Sequence, residues 1–150
     1  MKVHLAARYG RRVELCGYRD QLRDLGYDVQ ARWLDGKHQI SDSGVPIGDD
    51  NERLVEGDSR SDSPRAAALR EKFAVEDLHD VMLADIIINF TEPRSTASRG
   101  GRHVEFGIAL RNMFCRLIVV GHRENIFHWL PDVEFYETWD QCFNELKKGK

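Results

Sequence analysis

The run Ala84-Asp85-Ile86-Ile87-Ile88-Asn89-Phe90 constrains this chain more than any other stretch. Three consecutive isoleucines leave no polar face, so they read as a strand covered on both sides, the mark of a parallel sheet between helices. Arg116-Leu117-Ile118-Val119-Val120-Gly121 repeats the pattern. Lys2-Val3-His4-Leu5-Ala6 is a shorter extended run. A helix follows from Arg11, with Leu15, Tyr18, Leu22 and Leu25 at three-and-four spacing and Gly26 as its stop. Tyr27 to Leu34 reads as a second strand, with Val29, Ala31 and Trp33 to one side. A strand-helix-strand opening implies a parallel pair joined by a right-handed crossover.

The later elements keep the alternation. Ser63 and Pro64 supply a cap and a first-turn proline for a helix from Arg65 to about Leu83, with Phe73, Ala74, Leu78 and Val81 as inward candidates. Asp77 lies between Phe73 and Val81 on that apolar line, where the stripe's solvated edge is the ordinary place for an aspartate. Burial there would favour its protonated form. The helix that begins at Gly101 has Phe106, Ala109, Leu110 and Met113 as its stripe. Ile126, Phe127, Trp129 and Leu130 are packing groups of the segment that follows the second buried strand. Val133 to Glu137 is a last strand. Thr138 and Gln141 form a capping box for a last helix to Lys148. The expected architecture is a three-layer α/β fold, flavodoxin-like or Rossmann-like, with about five mostly parallel strands.

A length of 150 residues suits one domain spanning 1–150. Within it, residues 35–64 hold eight acidic residues against Lys37, Arg53 and Arg60, with few periodic apolar positions. A loop that long in a compact domain is either a lid or a flexible insert. The net charge of −3 gives no footprint for a nucleic acid polymer or an anionic membrane. No apolar run reaches spanning length and no leader pattern opens the chain. Cys16, Cys115 and Cys142 form neither a disulfide framework nor a metal motif and read as buried free thiols. These features lead to the expectation of a cytoplasmic protein that acts on a small molecule.

In open α/β sheets the ligand binds beyond the carboxyl ends of the strands. That edge collects Arg8, Tyr9 and Gly10 after the first strand, and Arg99, Gly100, Gly101, Arg102, His103 and Glu105 before and within the third helix. Arginines 8, 11, 12, 94, 99 and 102 crowd it, and a basic rim beside helix-start amides suits an anion. They are otherwise solvated, or paired with the acidic segment. Glu105 is expected in the helix's first turn, where the dipole favours its charge. No G-x-G-x-x-G, Walker loop or serine elbow occurs, and the six histidines lack close metal-ligand spacing. What remains is carboxylate chemistry through Glu105, Asp77 and Asp85, with no metal and no cofactor.

Ala84-Asp85-Ile86-Ile87-Ile88 followed by Gly101-Arg102-His103-Val104-Glu105-Phe106-Gly107-Ile108-Ala109-Leu110 resembles the nucleoside 2-deoxyribosyltransferase superfamily, which includes deoxynucleoside 5′-monophosphate N-glycosidases. The resemblance extends to Leu5-Ala6-Ala7-Arg8-Tyr9 and to the spacing from Asp77-Leu78 to Ala84-Asp85, and so covers most of the chain outside 35–64. It implies a flavodoxin-like sheet and a retaining reaction at an N-glycosidic bond. Glu105 matches the nucleophile that forms a covalent deoxyribosyl-enzyme. Asp77 matches the acid that protonates the leaving base, and Tyr9 matches the tyrosine that positions the nucleophile. Arg8, Gly10, Asp85, Arg99, Gly100, Gly101, Arg102 and His103 are then candidate substrate-binding residues. Retaining glycosyl transfer needs two carboxyl groups roughly 5 Å apart. Family members acting on free nucleosides often carry an acidic residue a few positions before the nucleophile. Here Arg99 and Arg102 occupy that loop, which tilts the expected substrate towards a 5′-monophosphate. The resemblance also implies a homodimer or larger homo-oligomer. Two alternatives stand beside exchange between bases: a pure hydrolase of deoxynucleotides, and a nucleotide-binding or signalling module without turnover.

Overall fold

The computed structural model describes residues 1–36, 64–93 and 100–149. Among the described residues, five strands form one parallel sheet: β1 (Lys2–Ala6), β2 (Asp28–Val29), β3 (Ile86–Phe90), β4 (Arg116–Val120) and β5 (Val133–Tyr136). Their spatial order is β2-β1-β3-β4-β5, a doubly wound arrangement whose direction reverses between β1 and β3. The helices are α1 (Arg12–Asp24), α2 (Pro64–Met82), α3 (Gly101–Ala109) and α4 (Trp139–Lys148). This is the α/β architecture that the isoleucine run predicts.

Alternation along the strands divides the core into two layers. Val3, Leu5, Ile86, Ile88, Phe90 and Ile118 pack with Leu15 and Leu22 of α1 and with Trp139, Cys142 and Leu146 of α4. Ala6, Ile87, Leu117 and Val119 pack with Val81 of α2 and with Phe106 and Ala109 of α3. Thr138 caps α4 through the expected box, accepting from the Gln141 amide while the Gln141 side chain accepts from the Thr138 amide.

Several local expectations fail for identifiable reasons. The second strand pairs only at Asp28 and Val29, and Arg32–Asp35 coil into a 3-10 turn. Trp33 and Leu34 are both buried in that turn. The Trp33 indole donates to the Leu5 carbonyl at 2.8 Å and fixes the turn against β1. On α2, Phe73 and Val81 are buried, but Ala74 and Leu78 face outward; Asp80 turns inward instead and receives the Arg32 guanidinium at 2.7 Å. Helix α3 stops at Ala109, so Met113 falls beyond the stripe and is 92% exposed. Ile126, Phe127, Trp129 and Leu130 are exposed, and His128 is the buried residue of that turn. Cys142 is buried, whereas Cys16 and Cys115 are only half-buried. The expected Ser63 cap, the lid or insert and its lysine and arginines, and Arg94 and Arg99 lie outside the described residues. Among the described residues no helix is long and apolar enough to cross a membrane.

Candidate active site

Glu105 sits on the side of α3 that faces the sheet, beside the buried Phe106. Its helix starts from Gly100, whose φ of 87° lies in the left-handed region that glycine tolerates best. No acidic residue lies in the first turn of α3. Glu105 therefore stands one turn further along than expected, where the helix dipole has largely faded. Its electrostatic partner is a residue that sequence reasoning passed over. The Glu105 Oε2 lies 3.7 Å from Nε2 of His4, in the middle of β1.

The imidazole of His4 is fully buried, while the Glu105 side chain retains 19% exposure. On its far side, Nδ1 of His4 lies 3.1 Å from the Gln30 carbonyl. Burial pulls the His4 pKa down. The nearby Glu105 carboxylate, the Gln30 carbonyl and the charge of Asp77 outweigh burial and leave it raised above 6.5. Asp77 is half-buried on α2, and one of its carboxylate oxygens is sealed from solvent. It is thus a partly buried acid, not one at a solvated edge. Glu105 is the carboxylate set against the His4 ring, and the charge of Asp77 on α2 is felt there more weakly.

Asn89 lies on the same face, opposite Ala6 in the β1–β3 register. It is fully buried, and neither side-chain amide atom has a hydrogen-bond partner among the described residues. A sealed, unsatisfied amide costs stability. The signal for both missed residues was a polar side chain interrupting an apolar strand. Tyr9, in the turn after β1, has its hydroxyl sealed from solvent and its ring 6.1 Å from that of Trp33. Arg8 is exposed, with its guanidinium beside Gly10.

Other expected binding residues are committed elsewhere. Asp85 stands at the amino end of β3, where it accepts the Lys2 amide at 2.7 Å. That is the opposite edge of the sheet from the carboxyl ends, so Asp85 takes no place in this site. Arg102 is buried and ion-paired with Glu124, which also accepts the Glu92 amide at 3.0 Å. The pair ties the start of α3 to the segments after β3 and β4. His103 follows it away from Glu105, with Nε2 3.7 Å from the same Glu124. Burial, and then the charge of Arg102, hold its pKa below 6.5 against the pull of Glu124. Arg11 donates to Glu14 at 2.7 Å, and Arg12 reaches the Leu34 carbonyl. Among the described arginines of the rim, Arg11, Arg12 and Arg102 are therefore used for internal bonding. Its arginines read as an anion site because sequence does not reveal Glu124 or Leu34 as their partners.

Among the described residues no cluster of three or more His, Cys, Asp and Glu side chains could hold a metal ion. Glu105, partly exposed and backed by a buried imidazole, can present a carboxylate oxygen to an electrophilic carbon. No family model and no curated protein matches the sequence. Among solved structures, the chain is similar to the CMP N-glycosidase BcmB of Clostridium botulinum, with a TM-score of 0.51 at 18% identity. The match covers 97% of this chain and 98% of that one, so the two share a fold over essentially their whole lengths.

Proposed function

We propose that the chain is an enzyme that breaks the N-glycosidic bond of a 2′-deoxynucleoside or its 5′-monophosphate through a covalent deoxyribosyl-Glu105 intermediate. The observation that carries this reading is the Glu105 carboxylate, partly exposed and set 3.7 Å from the buried His4 ring. Glu105 attacks the anomeric carbon. The glycosidic bond breaks with its electron pair passing to the base nitrogen, which takes a proton from Asp77. Water, deprotonated by Asp77, then opens the ester and restores Glu105. Replacing water with a second base turns the same cycle into transfer. The shared fold with a CMP N-glycosidase supports water as the acceptor and a 5′-monophosphate as the substrate. The unsatisfied Asn89 amide suits a hydroxyl of the sugar. A homo-oligomer belongs to the same proposal; Val75, Leu78 and Met82 form an exposed apolar line on α2 for a second copy.

Chromatography of released base tests the reading. The protein is incubated with each deoxynucleoside, ribonucleoside and 5′-monophosphate, with and without a free second base. Base release without an acceptor identifies a hydrolase, and exchange only with an acceptor identifies a transferase. Ligand binding without either would leave a non-catalytic module and end the proposal.

A further inference from the structure

We propose that His4 is the positioning residue of Glu105, an imidazolium that orients the attacking carboxylate and supplies its counter-charge; the role rests on the glycosidic reading above. His4 occurs in a strand whose neighbours Val3, Leu5 and Ala6 are all fully buried. A polar ring in such a place is costly unless both nitrogens are matched. The Gln30 carbonyl can only accept, so it assigns a proton to Nδ1. A neutral ring would then turn a lone pair towards the Glu105 oxygen 3.7 Å away, whereas the doubly protonated ring turns an N–H towards it. Both partners therefore select the cation. The groups acting on the ring come from three sides: Glu105 from α3, Asp77 from α2 and the Gln30 carbonyl after β2, while β3 offers Ile87 in register.

This geometry gives Glu105 a cation beside it before attack. When the ester forms, Glu105 becomes neutral and Asp77, having protonated the base, becomes the carboxylate. The imidazolium neither gives nor takes a proton. It keeps the pocket's charge balance constant while the negative charge passes from one carboxyl group to the other.

Histidine resonances followed by NMR from about pH 5 to about pH 9 test the pairing without turnover, with His4→Gln identifying the His4 signal. The wild-type midpoint should lie above 6.5 and fall by about one unit or more in Glu105→Gln. Steady-state kinetics on deoxycytidine 5′-monophosphate and CMP test the role. His4→Leu should lower kcat about a hundredfold with KM within about threefold. His4→Gln, which keeps a donor, should recover about a tenth of wild-type kcat or more and lose the alkaline decline due to His4. An unchanged midpoint in Glu105→Gln, or wild-type kcat in His4→Leu, would overturn the proposal. Should His4→Leu fail to fold, the NMR shift and His4→Gln decide alone. An inactive wild type that still shows the midpoint shift would sink the glycosidic reading and leave the pairing intact.

Discussion

The two faces of the sheet use the same strands for different ends. Towards α1 and α4, β1 and β3 present Val3, Leu5, Ile86, Ile88 and Phe90, all apolar and fully buried. Towards α2 and α3, the alternate positions present His4 and Asn89, also fully buried, beside Ala6 and Ile87. Period-two alternation thus lets one strand present an apolar row on one side and buried polar groups on the other. Burying a ring nitrogen and an unsatisfied amide works against stability, so this face of the sheet is the costlier one to fold.

The largest effect on the apolar face should come from Ile88→Ala, which loses about 2–5 kcal/mol by denaturant unfolding while folded molecules keep their turnover. A comparable loss of turnover per folded molecule would show that the faces are not separate. Next is Arg102→Ala, which leaves Glu124 without its buried partner. A stability loss of about 2–3 kcal/mol is expected; retention of full stability would contradict the tie between α3 and the segment after β4. Asn89→Leu should move the two properties in opposite directions. Removing an unsatisfied amide should raise stability by about 1 kcal/mol and lower kcat/KM. Destabilisation with unchanged kinetics would mark Asn89 as structural.

The smallest effect is a difference of sign between two buried histidines. His4 has a folded pKa above 6.5, so its stabilisation is complete below that value and is lost as pH rises through the folded value. His128 has its pKa lowered by burial, with His103 and Arg102 adding to this and Glu124 opposing it. Its contribution is complete above 6.5 and is lost as pH falls through its folded value. Unfolding curves across pH for His4→Gln and His128→Gln should each remove one of these opposite slopes. Slopes of the same sign would break the contrast.

The sheet was legible because Ile86-Ile87-Ile88 and Leu117-Ile118-Val119 admit few other readings. Inward faces of helices were harder. Leu78 and Ala74 fit the α2 stripe by spacing, yet the helix rotates to place Asp77 and Asp80 inward, because Arg32 waits there for Asp80. Similarly, the short edge strand ends in a turn because Trp33 finds a carbonyl on β1, a long-range bond invisible to local pattern. At the site, the motif pointed to Glu105 and Asp77 as carboxylates. It missed His4 because a histidine in an apolar strand acquires meaning only once α3 folds over it. Conversely, Arg102 and His103 stood beside Glu105 in sequence, but successive helix positions point in different directions and both turn to Glu124.

The proposed cycle stands or falls on Glu105 as the nucleophile. Intact-protein and peptide mass spectrometry after acid quench with deoxycytidine 5′-monophosphate, in wild type and Glu105→Gln, tests it most directly. The account predicts a sugar-phosphate adduct on the peptide containing Glu105, absent from the variant, with base release reduced at least about a thousandfold, or about 4 kcal/mol of barrier. An adduct on another residue, or base release at the wild-type rate in Glu105→Gln, would contradict it.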